Sequence, residues 1–324
     1  MSTIPSDACI LLAVALALVF FVGGIVALTL GADRFVVAAA RLSRALGLSP
    51  ILIGALVIGF GTSTPEMLVS ALAAGQGEID IAVGNVIGSN TANLTLVLGS
   101  TAMVGAIVTR VSTIVREGVL MMAAMGVATL LLWNLHLSRW EAAGLAAGMV
   151  VAGFLLVRWA RRDPYVAEER TGEVDAERVR VGWEALVGLG TLALTLAGAD
   201  GMVRGARMLA DLLDISSAFV GLVIVSVGTS LPELATALAA ARRGETDLVL
   251  GNVVGSNLFN TLAVLGIAGF VGPGTVSGEF GPAMLYMLVV GVVAGVFVIS
   301  GHRVQRWQGS VLLAMFMGFV ALTA

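Results

Sequence analysis

Two glutamates, Glu66 and Glu233, each stand midway along an apolar stretch and inside the same short context, GTSTPE at 61–66 and GTSLPE at 228–233. An acidic side chain at that depth of a membrane helix is costly unless compensated, and such residues line ion pathways and binding sites. An ion pair within the bundle would be the structural explanation, but no arginine falls near the middle of any apolar stretch. The prolines before them, Pro65 and Pro232, lack an N–H and clash with the carbonyls of Gly61 and Gly228, which become available as ligands. Thr62, Ser63, Thr229 and Ser230 lie three or four residues before their glutamates, a spacing that on a continuous helix puts hydroxyl and carboxylate on one face.

A second block also occurs twice, GNVIGSNTAN at 84–93 and GNVVGSNLFN at 251–260. Ser89 and Asn93 are four residues apart, as are Ser256 and Asn260, so each pair shares a face. Gly84, Gly88, Gly251 and Gly255 permit close backbone approach. Asn85, Asn90, Asn252 and Asn257 are read as helix-to-helix hydrogen bonds rather than ligands. The centre of the chain thus offers carboxylates, amide oxygens, hydroxyls and freed carbonyls, with no thiol or imidazole. That donor set suits a hard cation, Ca²⁺ or Na⁺, rather than zinc or copper. Cys9 is the single cysteine, and His136 and His302 fall near helix ends as interfacial residues. No resident cofactor is expected.

These residues need a membrane scaffold. The 324 residues are 58% hydrophobic and only 12% charged, with a mean hydropathy of +1.00, far from soluble-domain composition. The net charge of −3 points to no nucleic-acid partner; the expected partners are the ions and the bilayer, with no obligate protein partner. Apolar stretches predict ten helices near 8–46, 48–75, 79–105, 115–135, 138–160, 181–213, 215–242, 246–272, 281–300 and 304–323. The first and sixth exceed what a bilayer needs, so they tilt or project beyond it. No basic residue precedes the first apolar run, which argues against a cleaved signal peptide. Every basic residue is arginine. With the N-terminus outside, fifteen arginines fall inside and only Arg139, Arg204 and Arg207 outside, so both termini are placed outside and the spans are even in number.

Residues 61–99 and 228–266 align without a gap at an offset of 167, and about half their positions are identical. The chain therefore reads as two homologous halves, 1–160 and 181–324, joined by a hydrophilic cytoplasmic linker at 161–180. Five helices per half force the second half to enter from the opposite side. The expected fold is an all-α polytopic membrane protein of two inverted-topology five-helix repeats, with ion sites at the midplane between them. Glu78, Asp80, Glu245 and Asp247 also recur and are read as charges favouring helix N-termini. Asp33 and Asp200 are read as anchors of the long helices.

The doubled blocks GTSTPE…GNVIGSNTAN and GTSLPE…GNVVGSNLFN resemble those of the cation/calcium exchanger superfamily, and within it the sodium/calcium exchangers. The calcium/proton branch typically carries a GNxxE-type motif where this chain has GTSxPE. The resemblance implies that Glu66 and Glu233 bind Ca²⁺ and Na⁺ alternately, helped by Thr62, Ser63, Ser89 and Asn93 in one half and Thr229, Ser230, Ser256 and Asn260 in the other. It implies that helices one and six slide against the other eight. Some relatives carry aspartate where this chain has Asn260, which bears on sodium count and potassium dependence. The function expected is secondary sodium/calcium antiport in a plasma (inner) membrane. The alternatives are calcium/proton exchange on the same fold and a passive cation channel.

Overall fold

The computed structural model describes residues 7–46, 49–108, 111–160, 180–212, 226–301 and 303–323. All but the last residue of the expected linker, and His302, lie outside them. In the first half, α1 (Asp7–Leu46) is one long helix. The second span is broken. It runs through α2 (Pro50–Ile53), a π-helical segment (Gly54–Gly59) and α3 (Phe60–Thr62), and α4 (Thr64–Gly75) departs at 45°. The third span is α5 (Ile79–Ala92), a π segment (Asn93–Val97) and α6 (Leu98–Val104). Then come β1 (Ile107–Val108), α7 (Val111–Leu131), β2 (His136–Leu137) and α8 (Arg139–Ala160).

The second half repeats the series. It contains α9 (Val181–Leu212), α10 (Ser226–Thr229), α11 (Leu231–Arg242), α12 (Thr246–Leu258), a π segment (Phe259–Val264) and α13 (Leu265–Val271). It closes with β3 (Gly274–Thr275), α14 (Phe280–Gly301), β4 (Arg303–Val304) and α15 (Arg306–Thr323). Among the described residues this makes eight unbroken membrane-length helices and one bent pass. The seventh expected span, near 215–242, is described only from Ser226. The break recurs in the two halves because its cause recurs. Pro65 and Pro232 take positions in the first turn of α4 and α11, where the missing N–H costs nothing. The residues before those helices, Ser63 (φ −80°, ψ 7°) and Ser230 (φ −88°, ψ 5°), leave helical geometry.

The inversion is visible in the packing. α1 and α9 run antiparallel, with Gly24 against Gly198 and Met202, and Gly31 against Thr191 and Thr195. A Cβ at Gly24, Gly31, Gly198 or Gly205 would run into the partner's backbone, so these glycines set the interaxial distance. Two-residue ribbons close the opposite faces: β1 pairs with β4, β2 with β3. At the repeat offset β1 corresponds to β3 and β2 to β4, so each ribbon is the other's counterpart. Because β1 and β4 share a face, the chain makes an even number of crossings between them, in keeping with the expected ten spans. The third and eighth spans form the core, with 72% and 83% of their central windows buried against 39% or less for the other unbroken spans.

Candidate functional site

Glu66 and Glu233 occupy the first turns of α4 and α11, where unsatisfied N–H groups and the helix dipole favour a negative charge. Both are almost fully buried and close enough for their charges to interact. The recurrent asparagines tie the helices that carry them to the core. Asn85 Nδ2 donates to the Glu66 carbonyl (3.3 Å) and to Ser70 Oγ (3.0 Å). Asn252 Nδ2 donates to the Glu233 carbonyl (3.3 Å) and to Thr236 Oγ1 (3.4 Å). Of the four asparagines read as interhelical, Asn90 also crosses between helices, donating to Thr261 Oγ1 (2.8 Å). Asn257 differs: its Nδ2 donates to the Val253 carbonyl of its own helix (2.7 Å).

The hydroxyls correct one expectation. Spacing on a continuous helix sets Ser63 beside Glu66, but Ser63 Oγ donates to Glu233 Oε1 at 3.2 Å. Thr62 also lies at the Glu233 carboxylate, and Thr229 at that of Glu66. The reason is the break: a residue with ψ near 0° cannot continue the helical face, so Thr62, Ser63 and Thr229 reach the glutamate of the other half. Thr62 Oγ1 additionally donates to the Ile58 carbonyl (2.9 Å) and sits 3.5 Å from Asn252 Oδ1. Ser256 Oγ lies 3.4 Å from Asn252 Oδ1 and 3.5 Å from the Gly59 carbonyl, and Ser89 Oγ is 3.5 Å from Asn85 Oδ1. Glycines make this approach possible. A Cβ at Gly59 would stand 2.8 Å from the Ser256 nitrogen, and one at Gly54 2.7 Å from the Leu248 carbonyl oxygen.

All ten candidate residues therefore belong to the broken spans and the third and eighth spans, and none is exposed. Both oxygens of Glu66, Oε2 of Glu233, the amide oxygens of Asn93 and Asn260 and the Ser230 hydroxyl are buried without a hydrogen-bond partner among the described residues. Burying unpaired carboxylates in a low-dielectric interior is strongly unfavourable, so this set is chemically suited to cations. These are the hard oxygen donors that calcium takes. No cluster of three or more His, Cys, Asp or Glu occurs among the described residues, which leaves neutral oxygens as the complement of the two carboxylates. Ser70 and Thr236, which steady Asn85 and Asn252, were not legible, because they do not recur at the repeat offset.

The profile of the family described as sodium/calcium exchanger protein matches residues 16–158 and 183–324. The chain belongs to the sodium/calcium exchanger family. The chain is 37% identical over 312 residues to the putative antiporter CaxA of Alkalimonas amylolytica, covering 94% of this chain and 97% of CaxA. It is 30% identical to the sodium/calcium exchanger MaX1 of Methanosarcina acetivorans, covering 92% and 96%. Its fold matches a crystal of the sodium-calcium exchanger NCX_Mj soaked with Na⁺ and Sr²⁺, with a TM-score of 0.81 at 29% identity over 95% of this chain and 98% of that one. The chain is an integral membrane protein of a transporter family, built from two helical repeats.

Proposed function

We propose that this protein exchanges Na⁺ for Ca²⁺ across the membrane by alternating access, binding both ions between Glu66 and Glu233. The observation that carries the reading is the crossed site: a buried carboxylate from each half, with Ser63 of one half bonded to Glu233 of the other. Thr62, Ser63, Ser89, Asn93, Thr229, Ser230, Ser256 and Asn260 complete the ligand set. A site shared between halves is remade whenever they move, so ion occupancy and conformation are coupled. Empty, it holds two uncompensated charges and does not cross; filled by one Ca²⁺ or by sodium ions, it does. The glycine-lined α1–α9 pair lies beside the broken spans and slides to open alternate faces. The arginine distribution supports an orientation with both termini outside and the β1–β4 ribbon on the cytoplasmic face.

The test is ⁴⁵Ca²⁺ uptake into proteoliposomes loaded with Na⁺, K⁺ or choline, with a pH gradient imposed separately. Uptake requiring internal Na⁺ supports the proposal. Equal uptake with internal choline indicates a channel, and uptake driven by a pH gradient alone indicates calcium/proton exchange.

A further inference from the structure

The two halves differ in the space behind the ion-bearing helices. On the face of the β1–β4 ribbon, a cavity of about 550 Å³ opens between α7 and α14, floored by the third and eighth spans. Every residue lining it is apolar. Shifted by the repeat offset, its lining maps onto a pocket at the opposite face of only about 10 Å³. Composition accounts for the difference. The large cavity has Gly118, Gly291, Ala294 and Gly295 where the corresponding positions carry Leu285, Ala124, Val127 and Ala128. The small pocket is also strapped shut by the Asn90–Thr261 hydrogen bond, whereas the position equivalent to Thr261 in the large one is Leu94.

We propose that this cavity is a binding site for a phospholipid of the leaflet on the β1–β4 side, one acyl chain filling it and the phosphate resting at Arg303. Water is a poor occupant, since a buried water needs two to four polar partners and the walls offer no polar side chain. The rim faces the bilayer: Val119, Val292 and Val296 are 62%, 57% and 54% exposed, so the surrounding solvent is hydrocarbon. The floor is deep, with Leu98 and Val254 almost fully buried. Arg303 follows Ile299 of the lining by four residues, is exposed, and makes no ion pair among the described residues. A guanidinium on the ribbon strand that follows the helix lining an apolar slot matches a phosphate above an acyl chain. The floor residues Leu94 and Val253 directly follow Asn93 and Asn252, so a chain seated here bears on the third and eighth spans, two of the elements that supply candidate ion ligands.

The experiment reconstitutes the full chain in vesicles containing phosphatidylglycerol with a diazirine in one acyl chain, irradiates, and maps adducts by peptide mass spectrometry. Adducts on the floor residues Leu98 and Val254, as well as on the rim, are expected. A Cβ at Gly118 or Gly295 meets nothing within 4 Å, so Gly118→Leu and Gly295→Leu fill the slot without a backbone clash. Each should reduce floor adducts at least fivefold while rim adducts persist. Arg303→Gln should reduce floor labelling severalfold when the probe is limiting. Adducts confined to the rim in the unaltered protein, or floor adducts indifferent to both glycine variants, would overturn the proposal. Equal floor labelling by a diazirine diacylglycerol, which lacks the phosphate, would overturn the assignment to a phospholipid. None of these readouts depends on which ions are exchanged.

Discussion

Replacing Ser63 by alanine separates a crossed site from two sites side by side. The Ser63 hydroxyl donates to Glu233 Oε1 at 3.2 Å in a fully buried setting. Hydrogen bonds to charged groups are worth about 1.5–3 kcal/mol, and 3.2 Å is longer than the usual O–H···O range, so the lower figure applies. About 1.5 kcal/mol corresponds to roughly a tenfold loss, which should appear as a tenfold rise in the Kd for ⁴⁵Ca²⁺ measured by scintillation proximity on purified protein. The decisive comparison is a pair of double-mutant cycles. Glu233→Asp keeps the charge but withdraws the carboxylate by one methylene, away from Ser63. Adding Ser63→Ala to Glu233→Asp should therefore cost little more, whereas adding it to Glu66→Asp should cost the full tenfold. Coupling to Glu66 and additivity with Glu233 would refute the crossed geometry.

Glu66→Gln and Glu233→Gln should each abolish calcium transport while expression and the elution profile stay normal, since a divalent ion facing one carboxylate keeps a net charge in a low-dielectric site; near-normal exchange by either variant would remove both from the site. Because Asn260 is a neutral amide where the resemblance places an acidic residue in potassium-dependent relatives, Na⁺-driven uptake should proceed with K⁺ replaced by choline. The resemblance favours three Na⁺ per Ca²⁺, so an inside-positive potential should speed uptake as Na⁺ leaves, by a driving force of about 2.3 kcal/mol per 100 mV for one net charge; rates and accumulation independent of potential would indicate two Na⁺. Gly198→Ala, whose methyl would meet the backbone of Ala27 and Leu28, should destabilise the protein by about 1–3 kcal/mol in thermal melts. Gly190→Ala, in open space, should not.

The repeat, the inversion and the two glutamates were legible because each follows from local chemistry: an identical block read twice, an odd number of spans per half, a carboxylate in an apolar stretch. The proline breaks were equally plain. The direction of the hydroxyls was not, because the same-face rule holds only where the helix continues, and Ser63 and Ser230 stop it. The π segments at Asn93–Val97 and Phe259–Val264 likewise escape a reading based on 3.6 residues per turn, and they begin at or beside Asn93 and Asn260. The cavity escaped for another reason: its size is set by small residues on α7 and α14 facing one another, and no single segment carries that sum.

The β1–β4 ribbon joins Ile107 to Val304, residues about three-fifths of the sequence apart, and this has a consequence during synthesis. The first five helices leave the ribosome with β1 unpaired, and with Glu66 lacking the neutral oxygens that only the second half provides. Contacts so distant in sequence form late, since closing a long loop must precede any reward from the contact. The first half therefore waits in the membrane as an incomplete body, and α15 follows directly on the strand that completes the closure. A truncation before β4 would leave the ion site's residues in place in the sequence and the fold that joins them unfinished.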